Sequence, residues 1–169
     1  MSALRTILLV DDEPDVLLAL RRTLRPGGYR LLTTTTPYEV ASILAREAVD
    51  LVLTDNDMPG MKGVELLAEI RRTHPTVVRM LITGRSTLES ALEAVNRGEV
   101  LRYFEKPWEP DKLRAEIDGA MARLDELRRT ATADHNAVRR QALLDELERD
   151  HPGILAVRRG PGGEYLLPE

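Results

Sequence analysis

Apolar runs recur along the first two thirds of the chain, and amphipathic stretches fill the gaps between them. Thr6–Val10 (TILLV) reads as a strand buried on both faces. Val16, Leu17, Leu20 and Leu24 then fall at helical spacing until Pro26-Gly27-Gly28 stops them. Residues 29–36 form a second, more polar strand nearer a sheet edge, and Pro37 opens a helix with Val40, Ile43 and Leu44 inward. Residues 51–53 are a third apolar run, ending in Thr54-Asp55 before Met58-Pro59-Gly60 breaks regular structure. A third helix covers residues 64–72. Residues 77–83 predict a fourth strand, and Leu88, Ala91, Leu92 and Val95 predict one side of a helix closed by Gly98. Residues 101–105 form a short fifth strand, followed by Lys106-Pro107-Trp108 and a long helix from Pro110 or Asp111. Strand and helix thus alternate with short connections, the signature of a doubly wound, five-stranded parallel α/β sheet.

The seam of the final helix runs Leu113, Ile117, Ala120, Leu124, Leu127 and Ala131, alternating steps of four and three as in a coiled coil. A surface helix needs its stripe only where it meets the sheet. The continuation predicts a partner helix from a second subunit, with Leu113, Ile117, Leu124 and Leu127 as the seam. Weak helix formers over residues 130–136 predict a break, with Asp134 capping a further helix to Asp150. Residues 154–157 and 164–167 flank a glycine-rich turn and read as a small β-hairpin. The expected division is a domain over residues 1–127 and a helical and hairpin extension over 128–169.

Composition narrows the function. A net charge of −4 and a pI near 5.5 give no nucleic-acid-binding surface, so no direct DNA binding is expected. No apolar run is long enough to span a membrane, and the amino end leaves no room for a signal peptide. Zero cysteines exclude disulfides and thiolate chemistry, and the three histidines lack metal spacing. The expected location is cytoplasmic.

Chemistry-bearing residues gather at one kind of position. Asp11 and Asp12 follow the first strand, Asp55 the third, Thr83 the fourth and Lys106 the fifth. In a parallel sheet these ends share one edge. The acids at 11–13 fit a magnesium site, although Asp12 and Pro14 equally fit the start of a helix. Carboxylates, one hydroxyl and one ammonium around a point suit phosphoryl transfer onto a carboxylate.

The Asp11-Asp12 pair, Asp55-x-x-Met58-Pro59-x-Met61-x-Gly63, Thr83-Gly84 and Lys106-Pro107 resemble the receiver domain of bacterial two-component response regulators, over about residues 5–127. The resemblance implies a flavodoxin-like strand order 2-1-3-4-5. It also implies that Asp55 accepts a phosphoryl group from a sensor histidine kinase or a histidine phosphotransfer protein. By the same likeness Asp12, Asp55 and the backbone carbonyl of Asp57 ligate Mg2+, with Asp11 acting through water. Lys106 would contact the phosphoryl group, Thr83 would swing toward it, and Tyr103 would be the aromatic switch. The protein would then relay its state through a homodimer or an unknown downstream protein. It would not be an enzyme beyond self-catalysed phosphoryl transfer and slow dephosphorylation. The resemblance places Asp57 and Arg85 at positions flanking the phosphoryl group, where their opposite charges are expected to pair and to tune phosphate lifetime. Trp108 is expected to pack under the final helix. The rival reading is a haloacid-dehalogenase-like, aspartate-dependent phosphatase, which Asp55-Asn-Asp57 also fits; the early position of Asp11-Asp12 argues against it.

Overall fold

In chain order the elements are β1 (Thr6–Val10), α1 (Pro14–Leu24), β2 (Arg30–Thr34), α2 (Val40–Arg46) and β3 (Leu51–Asp55). The short strands β4 (Asp57–Met58) and β5 (Met61–Lys62), then α3 (Gly63–Thr73), β6 (Val78–Thr83), α4 (Leu88–Asn96), β7 (Arg102–Glu105) and α5 (Pro110–Asp150) follow. The computed structural model describes residues 4–84, 88–97, 99–150, 158–159 and 165–166. Its chain divides into two compact units, Met1–Ala122 and Arg123–Glu169, the boundary falling five residues before the expected one.

In the first unit five parallel strands form one sheet in the order β2-β1-β3-β6-β7. Counting only those five, this is the predicted 2-1-3-4-5 order. The remaining pair, β4 and β5, makes a two-residue antiparallel ladder immediately after Asp55. Successive residues of a strand face opposite sides. Leu8, Val10, Val52 and Leu81 accordingly join Val40, Leu44, Leu66, Leu67, Ile70, Ala91 and Ala94 in one buried cluster against α2, α3 and α4. Ile7, Leu9, Leu53, Met80 and Ile82 point the other way and are fully buried, as are Leu20 and Leu24 of α1 and Leu113 and Ile117 of α5. The central strands are apolar on both faces because both faces are covered.

Several expectations are corrected. Leu113 and Ile117 are 0% exposed inside the first unit, and Leu124 is 8% exposed, so these three side chains are not open to a second subunit; Leu127, at 68%, is. Leu92, expected inward, is 45% exposed. No break interrupts α5 at residues 130–136. The hydroxyls of Thr130 and Thr132 donate to the carbonyls of Glu126 and Arg128, one turn back, so both threonines sit within the helix without leaving their side chains unpaired. Asp12 does not cap α1: Glu13 holds that position, and its N–H donates to the Asp11 carboxylate at 2.9 Å. The hairpin pairs β8 (Arg158–Arg159) with β9 (Tyr165–Leu166), so the two arginines assigned to the turn are strand residues. Residues 154–157 lie outside the described residues.

Candidate functional site

β1 runs out at Val10, and the N–H of Asp11 makes one last bond, to the carbonyl of Thr34 at 3.3 Å. Asp11 is completely buried there, one oxygen taken by the Glu13 N–H and the other accepting from Lys106 Nζ at 2.9 Å. The same ammonium lies 3.0 Å from Asp55 Oδ1. Lys106 leaves the end of β7, where its own N–H donates to the Thr83 carbonyl at 2.8 Å. Three chain segments 44 and 51 residues apart in sequence therefore meet at one ammonium, because parallel strands deliver their carboxyl ends to one edge.

Carboxylate oxygens of Asp11, Asp12 and Asp55 all lie within 4.8 Å of one another. Against one lysine, three ionised carboxylates leave two negative charges. Burial pushes the Asp55 carboxyl up to about 6; Lys106 opposes that rise, while Asp11 and Asp12 add to it. Burial pulls the Lys106 ammonium down, yet its bonds to Asp11 and Asp55 outweigh that and raise it. Hard oxygen donors carrying a surplus of two negative charges fit a divalent cation such as Mg2+.

The backbone around Asp55 is held tightly. A Cβ on Gly63 would run into the Asp55 carbonyl, so only glycine lets α3 start this close. The Gly63 N–H donates to the Asn56 carbonyl at 3.0 Å, and the Val64 N–H to Asn56 Oδ1 at 3.1 Å. Asn56, absent from the sequence reading, is thus the buried joint between the end of β3 and the start of α3. Its polarity and position beside Asp55 were the available signals.

Thr83 is buried at the end of β6, where its Oγ1 donates to the Gly84 carbonyl at 3.1 Å, and it faces Glu105 across the ladder. Tyr103 sits half-buried on β7 and packs against the cluster beneath α2, α3 and α4. Asp57 is exposed on β4, in register with Lys62. Arg85 lies outside the described residues, and the expected Asp57–Arg85 pair with it. Trp108 is half-buried, and its Nε1 donates to Thr23 Oγ1 on α1 at 3.1 Å.

Residues 7–118 match the family "Response regulator receiver domain". The chain belongs to that family, and its fold and the acidic, lysine-bearing edge of its sheet are those of a two-component signalling module. Among curated relatives, the hydrogenase transcriptional regulatory protein HoxA of Cupriavidus necator is 39% identical over 136 residues, 75% of this chain and 28% of that protein. The DNA-binding transcriptional regulator NtrC of Klebsiella pneumoniae is 31% identical over 76% of this chain and 27% of its own length. The signal receiver domain of an HD domain-containing protein from Pseudomonas fluorescens Pf-5 superposes with a TM-score of 0.71 at 32% identity, covering 76% of this chain and 95% of that one. The chain spans between a quarter and a third of the length of the curated relatives named here. The phosphatase reading gains no support from them. Nor does the expectation of no DNA binding, since these relatives are named as transcriptional regulators.

Proposed function

We propose that this chain is a phosphorylation-controlled receiver in which Asp55 takes a phosphoryl group from the phosphohistidine of a sensor kinase or phosphotransfer protein. The observation that carries this reading is the single ammonium of Lys106 set 2.9 Å from Asp11 and 3.0 Å from Asp55. Asp55, 3% exposed, presents its carboxylate as nucleophile at the mouth of the sheet. Lys106 can turn from a carboxylate toward the arriving phosphoryl oxygens, and the Thr83 hydroxyl can leave the Gly84 carbonyl to donate to one of them. Mg2+, held by Asp12 and Asp55 with the Asp57 carbonyl, and by Asp11 through water, would neutralise phosphoryl oxygens when bound. Reorientation of Thr83 gives Tyr103 room to turn inward, which would carry the change to α4, β7 and α5.

The chemistry is stoichiometric: one group is taken per chain and slowly lost to water, with no turnover of an outside substrate. No helix among the described residues is long and apolar enough to cross a membrane, and we place the module in the cytoplasm beside its phosphodonor. Incubation with acetyl phosphate and magnesium, read by intact mass, tests the assignment. One phosphoryl group is expected on the wild type and none on Asp55→Asn, with Lys106→Ala labelled far more slowly. Equal labelling of Asp55→Asn overturns it.

A further inference from the structure

The Asp11–Lys106 contact ties the loop just before α1 to the segment that carries the lysine. A second tie lies at the far end of α1. Thr23 falls nine residues after Pro14, roughly 14 Å along the helix at 1.5 Å per residue. It is buried, and its hydroxyl donates to the Ala19 carbonyl at 3.1 Å while accepting from Trp108 Nε1 at 3.1 Å. The Thr23 carbonyl accepts from Arg114 of α5, also at 3.1 Å. Contacts therefore close a ring: Asp11, α1, Thr23, Trp108, Lys106 and back to Asp11.

We infer that the Trp108–Thr23 hydrogen bond makes Trp108 a positioning residue that holds Lys106 on station for phosphoryl transfer. This rests on the receiver reading of Asp55 and Lys106. A lysine ammonium on its four-carbon stem reaches many points, so its aim depends on where its backbone is fixed. Upstream that backbone is fixed by the Lys106 N–H on the Thr83 carbonyl. Just downstream Pro107 has no N–H to give, and the next side-chain donor is the Trp108 indole, anchored on the helix that follows the acidic pair. Cutting the anchor lets residues 106–109 shift, and a small displacement of a positioned group lowers the rate of the step it serves.

Thr23→Val keeps the volume and removes the acceptor; Trp108→Phe keeps a ring and removes the donor. With acetyl phosphate and saturating magnesium, each should lower the maximal labelling rate roughly three- to ten-fold, the equivalent of one neutral hydrogen bond. The half-saturating donor concentration should not change, the double variant should match either single one, and Thr23→Ser should restore the rate. Wild-type rates in both single variants, or multiplied effects in the double variant, overturn the inference. So does a lowered unfolding midpoint with an unchanged rate. If the wild type takes no label, the receiver reading fails by itself, and nuclear magnetic resonance still decides the tie. The chain has one tryptophan, hence one indole N–H resonance. Magnesium alone should move that resonance in the wild type and not in Lys106→Ala; a resonance indifferent to magnesium overturns the tie.

Discussion

Asp55 carries the electrostatic tension of the fold. Its carboxylate is buried beside two others, and one ammonium does not balance them. Replacing it with the neutral, isosteric amide removes a charge that burial disfavours. In chelator at neutral pH, Asp55→Asn should therefore be more stable than the wild type by about 1–2 kcal/mol, read from urea unfolding midpoints. Tyr29 is shifted in the same direction, toward its protonated form. Burial and its hydrogen bond to Asp118 hold its phenol well above the usual tyrosine range. A raised folded pKa means that its contribution is complete below the unfolded value and fades as pH rises toward the folded one. Wild-type stability should fall as pH climbs from about 9 to 11, and Tyr29→Phe should flatten that slope.

Gly119 marks the scale of the element. It lies inside α5, and a Cβ there would meet nothing within 4 Å. Gly119→Ala should stabilise the protein by roughly 0.5–1 kcal/mol, seen as a higher thermal midpoint with labelling of Asp55 unchanged. At this scale the sequence was most legible where one signal sufficed. Strands buried on both faces announced themselves as unbroken apolar runs, and their alternation with helices gave the sheet. The acids, hydroxyl and lysine could be located because each follows a strand. What pattern could not give was partnership across the fold. Trp108 and Thr23 are 85 residues apart, and nothing local marks the indole as a donor to α1. The continuous α5 was misread because propensity counts Thr130 and Thr132 as weak formers without seeing their hydroxyls turned back to the preceding carbonyls. The seam was extended too far toward the amino end because Leu113 and Ile117 serve the sheet. Spacing alone does not say which neighbour a stripe meets.

At the scale of the molecule, the large exposed apolar side chains among the described residues of α5 after Ala122 are Leu127 at 68%, Val138 at 71% and Leu143 at 56%. If the chain pairs with a second copy, as the continued seam predicts, these are the large apolar side chains open to it. Light scattering across a concentration series should show a monomer–dimer equilibrium shifted toward monomer by Leu127→Lys with Val138→Lys. Labelling of Asp55 should persist in that variant, since neither residue belongs to the set that holds the carboxylates, Asp11, Asp12, Asp55 and Lys106.

The turn after Asp55 has two unequal halves. Asp55, Asn56 and Gly63 are locked by burial and by backbone pressed on backbone, whereas Asp57, Pro59, Gly60 and Lys62 face solvent. Mutational drift is therefore channelled: the exposed side chains of Pro59 and Lys62 can change without touching the reactive half, whereas Gly60, at φ 83° with the Tyr38 hydroxyl where a Cβ would sit, is as constrained as Gly63. Relatives built on this scaffold can part company along that outer rim while keeping the same buried carboxylate underneath.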